Sequence, residues 1–173
     1  MPTMTLLPTG STAVGLPIGQ GWTVTVPAGD ALFHLALRSD DDDTSYASSD
    51  GTDDGYFTIT SFESPSVAVG SITSVQYLTS GKRDGRSRFT SNCEFELTVP
   101  AGDVEGEAYS TAYSAENGPI ETERPGGGAW TYSDLENFQM KVIKANTVAL
   151  RLSYLVLKVT YVKPNAVFFG TNF

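Results

Sequence analysis

Seven aspartates crowd into residues 40–54: Asp40, Asp41, Asp42 and Asp43 run consecutively, and Asp50, Asp53 and Asp54 follow. Clustered carboxylate oxygens are what a hard cation such as calcium requires. Asp50, Thr52, Asp54 and Gly55 match the opening of a calcium-binding EF-hand loop. The twelfth position of that loop is Ser61, which has no bidentate carboxylate to offer, and no helical pattern flanks it. The expectation is a solvated acidic loop whose Asp and Ser side chains shape turns, with no bound metal and no other cofactor.

Glu94 and Glu96 lie two residues apart in the alternating stretch CEFELTV, so both point to one face of a strand. This spacing resembles the catalytic strand of some β-sandwich glycoside hydrolases, but Val99 stands where the third acidic residue would be. Two glutamates on the wet face of an amphipathic strand account for the pattern, and no catalytic residue is assigned. His34 is the sole histidine and sits in an apolar run, and the chain has no G-x-S-x-G nucleophile elbow for it to serve. Gly126, Gly127 and Gly128 are followed by no lysine and by no strand-to-helix frame, so neither a P-loop nor a dinucleotide fingerprint fits. Lys82, Arg83, Arg86 and Arg88 form the one concentrated positive patch, expected in a hairpin loop with Asp84 and Gly85. A solvated turn explains it, and ion pairs between subunits of an assembly are the alternative.

Eleven Lys and Arg against 20 Asp and Glu give a net charge of −9, which works against binding the phosphate backbone of nucleic acid. A single cysteine, Cys93, excludes an intrachain disulfide and a cysteine-based zinc site. The first residues, MPTMTLLPTGSTAV, lack the charged and apolar regions of a signal peptide, and no apolar run is long enough to span a bilayer as a helix. The expectation is a chain made in the cytoplasm with no membrane partner.

The elements that must position these residues are strands. Trp22 to Val26 alternates apolar and polar residues, and Ala31 to Leu37, apolar on both faces apart from His34, reads as a central strand. Tyr56 to Phe62, Ile72 to Thr79 and Arg88 to Val99 follow between turn-forming clusters, then a weaker Glu107 to Ser114 and a short Ile120 to Glu123. Ser133 stands as N-cap of a short helix near residues 133–139, and Met140 to Lys144 and Ala149 to Lys163 close the set. In the last run the apolar face switches near Tyr154, the signature of a β-bulge or of a strand covered on both sides. The sequence TVPAGD occurs at Thr25–Asp30 and again at Thr98–Asp103, which reads as reuse of one turn. Together these predict an all-β, antiparallel two-sheet sandwich of jelly-roll-like topology, with a closed barrel as the alternative.

Four blocks carry a resemblance: Asp40 to Tyr46, Ile72 with Val75, Ala129 to Gln139, and Arg151 to Tyr161. Their order and spacing over residues 3–162 resemble a group of small virion structural proteins of tailed bacteriophages, departing from it at Met140, Lys141 and Tyr154. The resemblance implies a β-sandwich without catalytic residues, located in the virion as a capsid decoration or cement protein. Its partners would be the major capsid protein, other virion proteins or further copies of itself in a homo-oligomer. A head-to-tail or tail accessory protein, or a carbohydrate- or receptor-binding sandwich module, is the alternative.

Three parts follow: an N-terminal arm over residues 1–20, the sandwich over 21–163, and a C-terminal tail over 164–173. The tail ends in an aromatic cluster, Val167, Phe168, Phe169 and Phe173, that would anchor an assembly, with Lys82, Arg83 and Arg86 as the charged contacts.

Overall fold

Alternating and two-sided apolar strands have one economical solution, a pair of sheets packed face to face, and a computed structural model of the chain shows it. It describes residues 1–12, 22–26, 32–38, 43–49, 56–83, 91–99, 101–110, 112–145 and 148–164. In chain order the elements are β1 (Thr3–Leu6), β2 (Pro8–Thr12), β3 (Trp22–Thr25), α1 (Phe33–Ala36), β4 (Tyr46–Ser49), β5 (Tyr56–Phe62) and β6 (Ser71–Arg83). They continue with β7 (Ser91–Val99), β8 (Ala101–Tyr109), β9 (Ser114–Asn117), α2 (Tyr132–Glu136), β10 (Gln139–Lys144) and β11 (Leu150–Val162).

The first sheet runs β3-β4-β11-β6-β9 with β1 also on β11, and the second runs β2-β5-β10-β7-β8. All named pairings are antiparallel. The core between the sheets is drawn from both: Leu152, Leu155, Leu157 and Val159 of β11 and Val75 of β6 meet Phe57 and Ile59 of β5, Phe95 of β7, and Met140 and Val142 of β10. Residues 3–12 are strands of the sandwich, β1 in one sheet and β2 in the other.

The switch of apolar face near Tyr154 is a bulge. Leu152 pairs with Gly81 and Tyr154 with Ser80, which leaves Ser153 as the extra residue, fully buried and with no partner for its hydroxyl. The bulge resets the alternation, so that Leu150 and Leu152 before it and Leu155, Leu157 and Val159 after it all face the same core.

Within the run expected as a strand over residues 31–37, the described part from Leu32 to Leu37 is not one. Residues 33–36 form the one-turn helix α1, whose Phe33 stacks on Phe57 with centroids 4.3 Å apart. The amide of Leu155 donates to the carbonyl of Leu37 over 3.0 Å, so the end of this turn fills the stretch of β11 between its pairings with β4 and with β1. A short apolar run buried on all sides has the same sequence pattern as a central strand, which is why periodicity misassigned it. The predicted strand over residues 107–114 is displaced: β8 ends at Tyr109 and β9 begins at Ser114. The second TVPAGD copy makes the β7–β8 hairpin, where Thr98 pairs with Ala101. The first copy is described only through Val26.

Candidate functional site: an aromatic groove at the sheet edge

Between β6 of one sheet and β7 of the other lies a groove with a cavity volume of about 410 Å³. This falls within the roughly 300–1,000 Å³ typical of small-molecule sites. Its floor is aromatic. Tyr77 and Phe95 lie with ring centroids 4.9 Å apart, and Trp130 and Phe138 with centroids 6.3 Å apart. Phe138 is held in turn edge-to-face by Phe62 at 5.6 Å. These rings are buried because strand alternation turns Tyr77 and Phe95 inward, while Trp130 and Phe138 bracket the helix α2 that closes one end of the core.

The rim carries the polar groups Gln76, Glu121, Glu123 and Arg124. Backbone pairing sets it in place. Val75 and Glu121 exchange reciprocal amide–carbonyl bonds of 2.9 Å, an isolated bridge that fastens the segment after β9 alongside β6. The short strand expected at residues 120–123 is reduced to this one bridge. Gln76 donates from Nε2 to the carbonyl of Gly118 over 2.7 Å, fixing the turn into that segment. Tyr77 donates its hydroxyl to Glu107 Oε1 over 3.0 Å, which satisfies the polar end of a buried ring.

The loop from Arg124 to Gly128 borders the groove and folds back on itself. Gly126, Gly127 and Gly128 all have φ between 85° and 93°, a region that side chains disfavour, and this explains the glycine run without any phosphate chemistry. The amide of Gly127 donates to the carbonyl of Arg124 over 2.9 Å, and the amide of Arg124 to the carbonyl of Gly128 over 3.0 Å. Arg124 Nε donates to the carbonyl of Gly127 over 3.2 Å, and its guanidinium lies 3.6 Å from Asp134.

Helix α2 begins two residues earlier than the sequence suggested. Thr131, not Ser133, is the N-cap: its hydroxyl accepts from the amide of Asp134 over 3.2 Å and its own amide donates to Asp134 Oδ2 over 2.8 Å, a complete capping box. Ser133 sits inside the helix, where its carbonyl accepts from the amide of Asn137. Burial acts to raise the pKa of Asp134, but the hydrogen bonds from the Thr131 hydroxyl and amide, with the charge of Arg124, hold it below the ordinary carboxylate value.

Other residues singled out by the sequence lie away from this groove. Glu96 forms an ion pair of 3.3 Å with Lys141 across the β7–β10 ladder, and the Lys141 ammonium stands 4.3 Å from the centre of the Tyr56 ring. Glu96 is therefore a neutralised surface pair. His34 belongs to α1, where its Nδ1 shares a hydrogen bond of 3.0 Å with the Ser11 hydroxyl. Burial, then the charge of Arg38, lowers its pKa. Lys82 is bound within the chain, to Asp43 at 2.7 Å. Arg83 ends β6, with its amide donating to the carbonyl of Ser110. Arg86, Val167, Phe168, Phe169 and Phe173, and all the clustered aspartates except Asp43, lie outside the described residues. Among the described residues no three His, Cys, Asp or Glu side chains converge so as to hold a metal ion.

No family model matches the chain, and no curated protein matches it. Solved structures do. The chain is similar to the CBM22-1–GH10 modules of the endo-1,4-β-D-xylanase 10B of Clostridium thermocellum, complexed with xylohexaose, at 9% identity and TM-score 0.43. That match covers 82% of this chain and 25% of that one. It is similar to the CBM22-1 xylan-binding domain of Xyn10C from Paenibacillus barcinonensis at 13% identity and TM-score 0.42, covering 90% and 94%. A family 11 carbohydrate-binding module from Clostridium thermocellum, in complex with a β-1,3-1,4-mixed-linked tetrasaccharide, matches at 11% identity and TM-score 0.38, covering 95% and 90%. At these identities the likeness is one of β-sandwich form. Those named are, or contain, carbohydrate-binding modules, and none of them is a virion component. This corrects the expectation of a capsid decoration or cement protein, and of a head-to-tail or tail accessory protein, acting on a major capsid protein.

Proposed function

We propose that this chain is a non-catalytic carbohydrate-binding β-sandwich module that takes its ligand in the groove between β6 and β7. The composition of the groove supports this. A sugar presents apolar C–H faces together with hydroxyls that both donate and accept, so its binding site needs apolar surface beside polar groups of both kinds. Leu97, Pro119 and Pro125 supply the accessible apolar surface, backed by the buried rings of Tyr77, Phe95, Trp130 and Phe138. Glu121 and Glu123 accept, Arg124 donates, and the amide of Gln76 does both.

The rim is held by main-chain pairing and by the capped helix, so the polar groups are largely in place before a ligand arrives. Neither Glu94 nor Glu96 lines the groove, which removes the carboxylate pair that first suggested hydrolysis.

Calorimetric titration of the full chain with a panel of soluble neutral polysaccharides tests the proposal. Binding to at least one of them, weakened about fivefold by Gln76→Ala or Glu123→Ala, is the expected result, since one lost hydrogen bond is worth about 1 kcal/mol. Binding unaffected by both substitutions would move the site elsewhere, and release of reducing ends during incubation would refute the non-catalytic part.

A further inference from the structure

A second cluster stands on the first sheet, six residues along β6 from Gln76, about 20 Å at the rise of a strand. Lys82 of β6 and Arg151 of β11 are directly opposite each other in the ladder. Like charges placed so are mutually destabilising unless an anion bridges them. The bridge is Asp43, from the segment before β4: Lys82 Nζ contacts its two carboxylate oxygens at 2.7 and 2.8 Å, and Arg151 donates to Oδ1 over 2.9 Å. The Tyr113 hydroxyl donates to the same oxygen over 3.4 Å.

Both cations are oriented independently of that carboxylate. The Lys82 ammonium lies 4.5 Å from the centre of the Tyr113 ring, and the Arg151 guanidinium 4.6 Å from that of Tyr46. The carboxylate is the loosely held member: the Asp43 side chain is 60% exposed, against 18% for Lys82 and 26% for Arg151. Among the described residues two preset cations thus share one solvent-facing carboxylate, on a chain whose net charge is −9.

From this geometry we infer that Lys82 and Arg151, on their tyrosine supports, form an oxyanion-binding site that Asp43 fills in the free protein and that a carboxylate or sulfate group of a ligand takes over. Exchange replaces one charge-assisted set of hydrogen bonds by another and returns the Asp43 carboxylate to solvent, and a sulfate, with more acceptor oxygens, reaches both cations. The hydrogen bond from Lys82 is the main reason that the Asp43 carboxyl titrates below its ordinary value. The site is separate from the groove and does not depend on what the groove binds.

The test is titration of the full chain with inorganic sulfate and, separately, with glucuronate, at low ionic strength, for the natural protein, Asp43→Ala, Asp43→Asn and the double variant D43A/K82A. Emptying the site in D43A or D43N is expected to tighten binding of at least one of the two anions about tenfold, and removing Lys82 as well to abolish the gain. A gain for sulfate alone assigns the site to sulfate esters, and a gain for glucuronate alone to carboxylates. The inference is overturned if D43A and D43N bind both anions no better than the natural chain, or if D43A/K82A keeps the gain. Circular dichroism of each variant shows whether the fold is kept, and D43N preserves the shape of the side chain should D43A not fold.

Discussion

Trp130 donates its indole N–H to the main-chain carbonyl of Glu121 over 3.0 Å, and that carbonyl also accepts the amide of Val75 over 2.9 Å. One oxygen thus ties the floor of the groove to its rim and the rim to β6. The ring and the loop that carries the polar groups are positioned together.

Trp130→Phe keeps an aromatic ring but removes this donor and leaves a gap in a side chain only 4% exposed. The expected cost is about 1–3 kcal/mol in urea unfolding, from the lost hydrogen bond and the imperfectly filled space. Any ligand of the groove should bind more weakly to the same variant.

Gly81 stands where β6 passes the bulge of β11. A Cβ there would lie 2.7 Å from Leu152 Cδ2, 2.9 Å from Tyr109 Cε1 and 3.0 Å from the carbonyl of Arg151. Gly81→Ala therefore overpacks the core, and a loss of about 1–3 kcal/mol is expected, read as a lower denaturation midpoint with an unchanged slope.

Ser153, the bulged residue opposite, has the reverse prediction. Its hydroxyl is buried without a partner, so Ser153→Ala should be neutral or raise stability by up to about 1 kcal/mol. A clear loss of stability in the alanine variant would show that the hydroxyl has a partner after all.

The capping box gives a pH prediction. Because the pKa of Asp134 is lowered in the folded chain, its contribution is fully present above the unfolded carboxylate value, about 3.9, and is lost as pH falls through the lower folded value. Thr131→Ala should cost about 1 kcal/mol at neutral pH, and Asp134→Asn should lose part of its deficit relative to the natural chain as the pH is taken below 4. Denaturation curves at several pH values check both, and a pH-independent difference for Asp134→Asn would contradict the assignment.

Much of the sandwich was readable because its strands follow simple two-residue alternation. The run from Tyr56 to Phe62 coincides with β5, and the face switch near Tyr154 located a bulge whose mechanism, an unpaired Ser153, only the register could show. Two features resisted. The run Phe33 to Ala36 carries no period that separates a buried turn of helix from a strand, and Thr131 and Ser133 each have a hydroxyl with an acidic side chain three residues on, Asp134 and Glu136, so the pattern did not rank the two as N-cap.

The groove was hidden for a different reason. Tyr77, Phe95, Trp130 and Phe138 are core-type residues in their own segments, and only the Val75–Glu121 bridge brings polar side chains beside them. The one local sign was Trp130 next to a glycine run and a helix cap, which marks a constrained loop but no ligand. The resemblance to virion proteins followed short blocks of composition that a solvated sandwich of any function can carry.

The most direct test of the carbohydrate reading uses the tryptophans themselves. The chain has two, Trp22 in the core and Trp130 in the groove, so Trp22→Phe leaves a single reporter at the site. Titrating that variant with the polysaccharide that binds best is predicted to shift or quench the fluorescence of Trp130 in a saturable way, with the same midpoint as calorimetry. Calorimetric binding that leaves Trp130 unchanged would contradict the groove as the site, and no binding to any glycan of the panel would contradict the function.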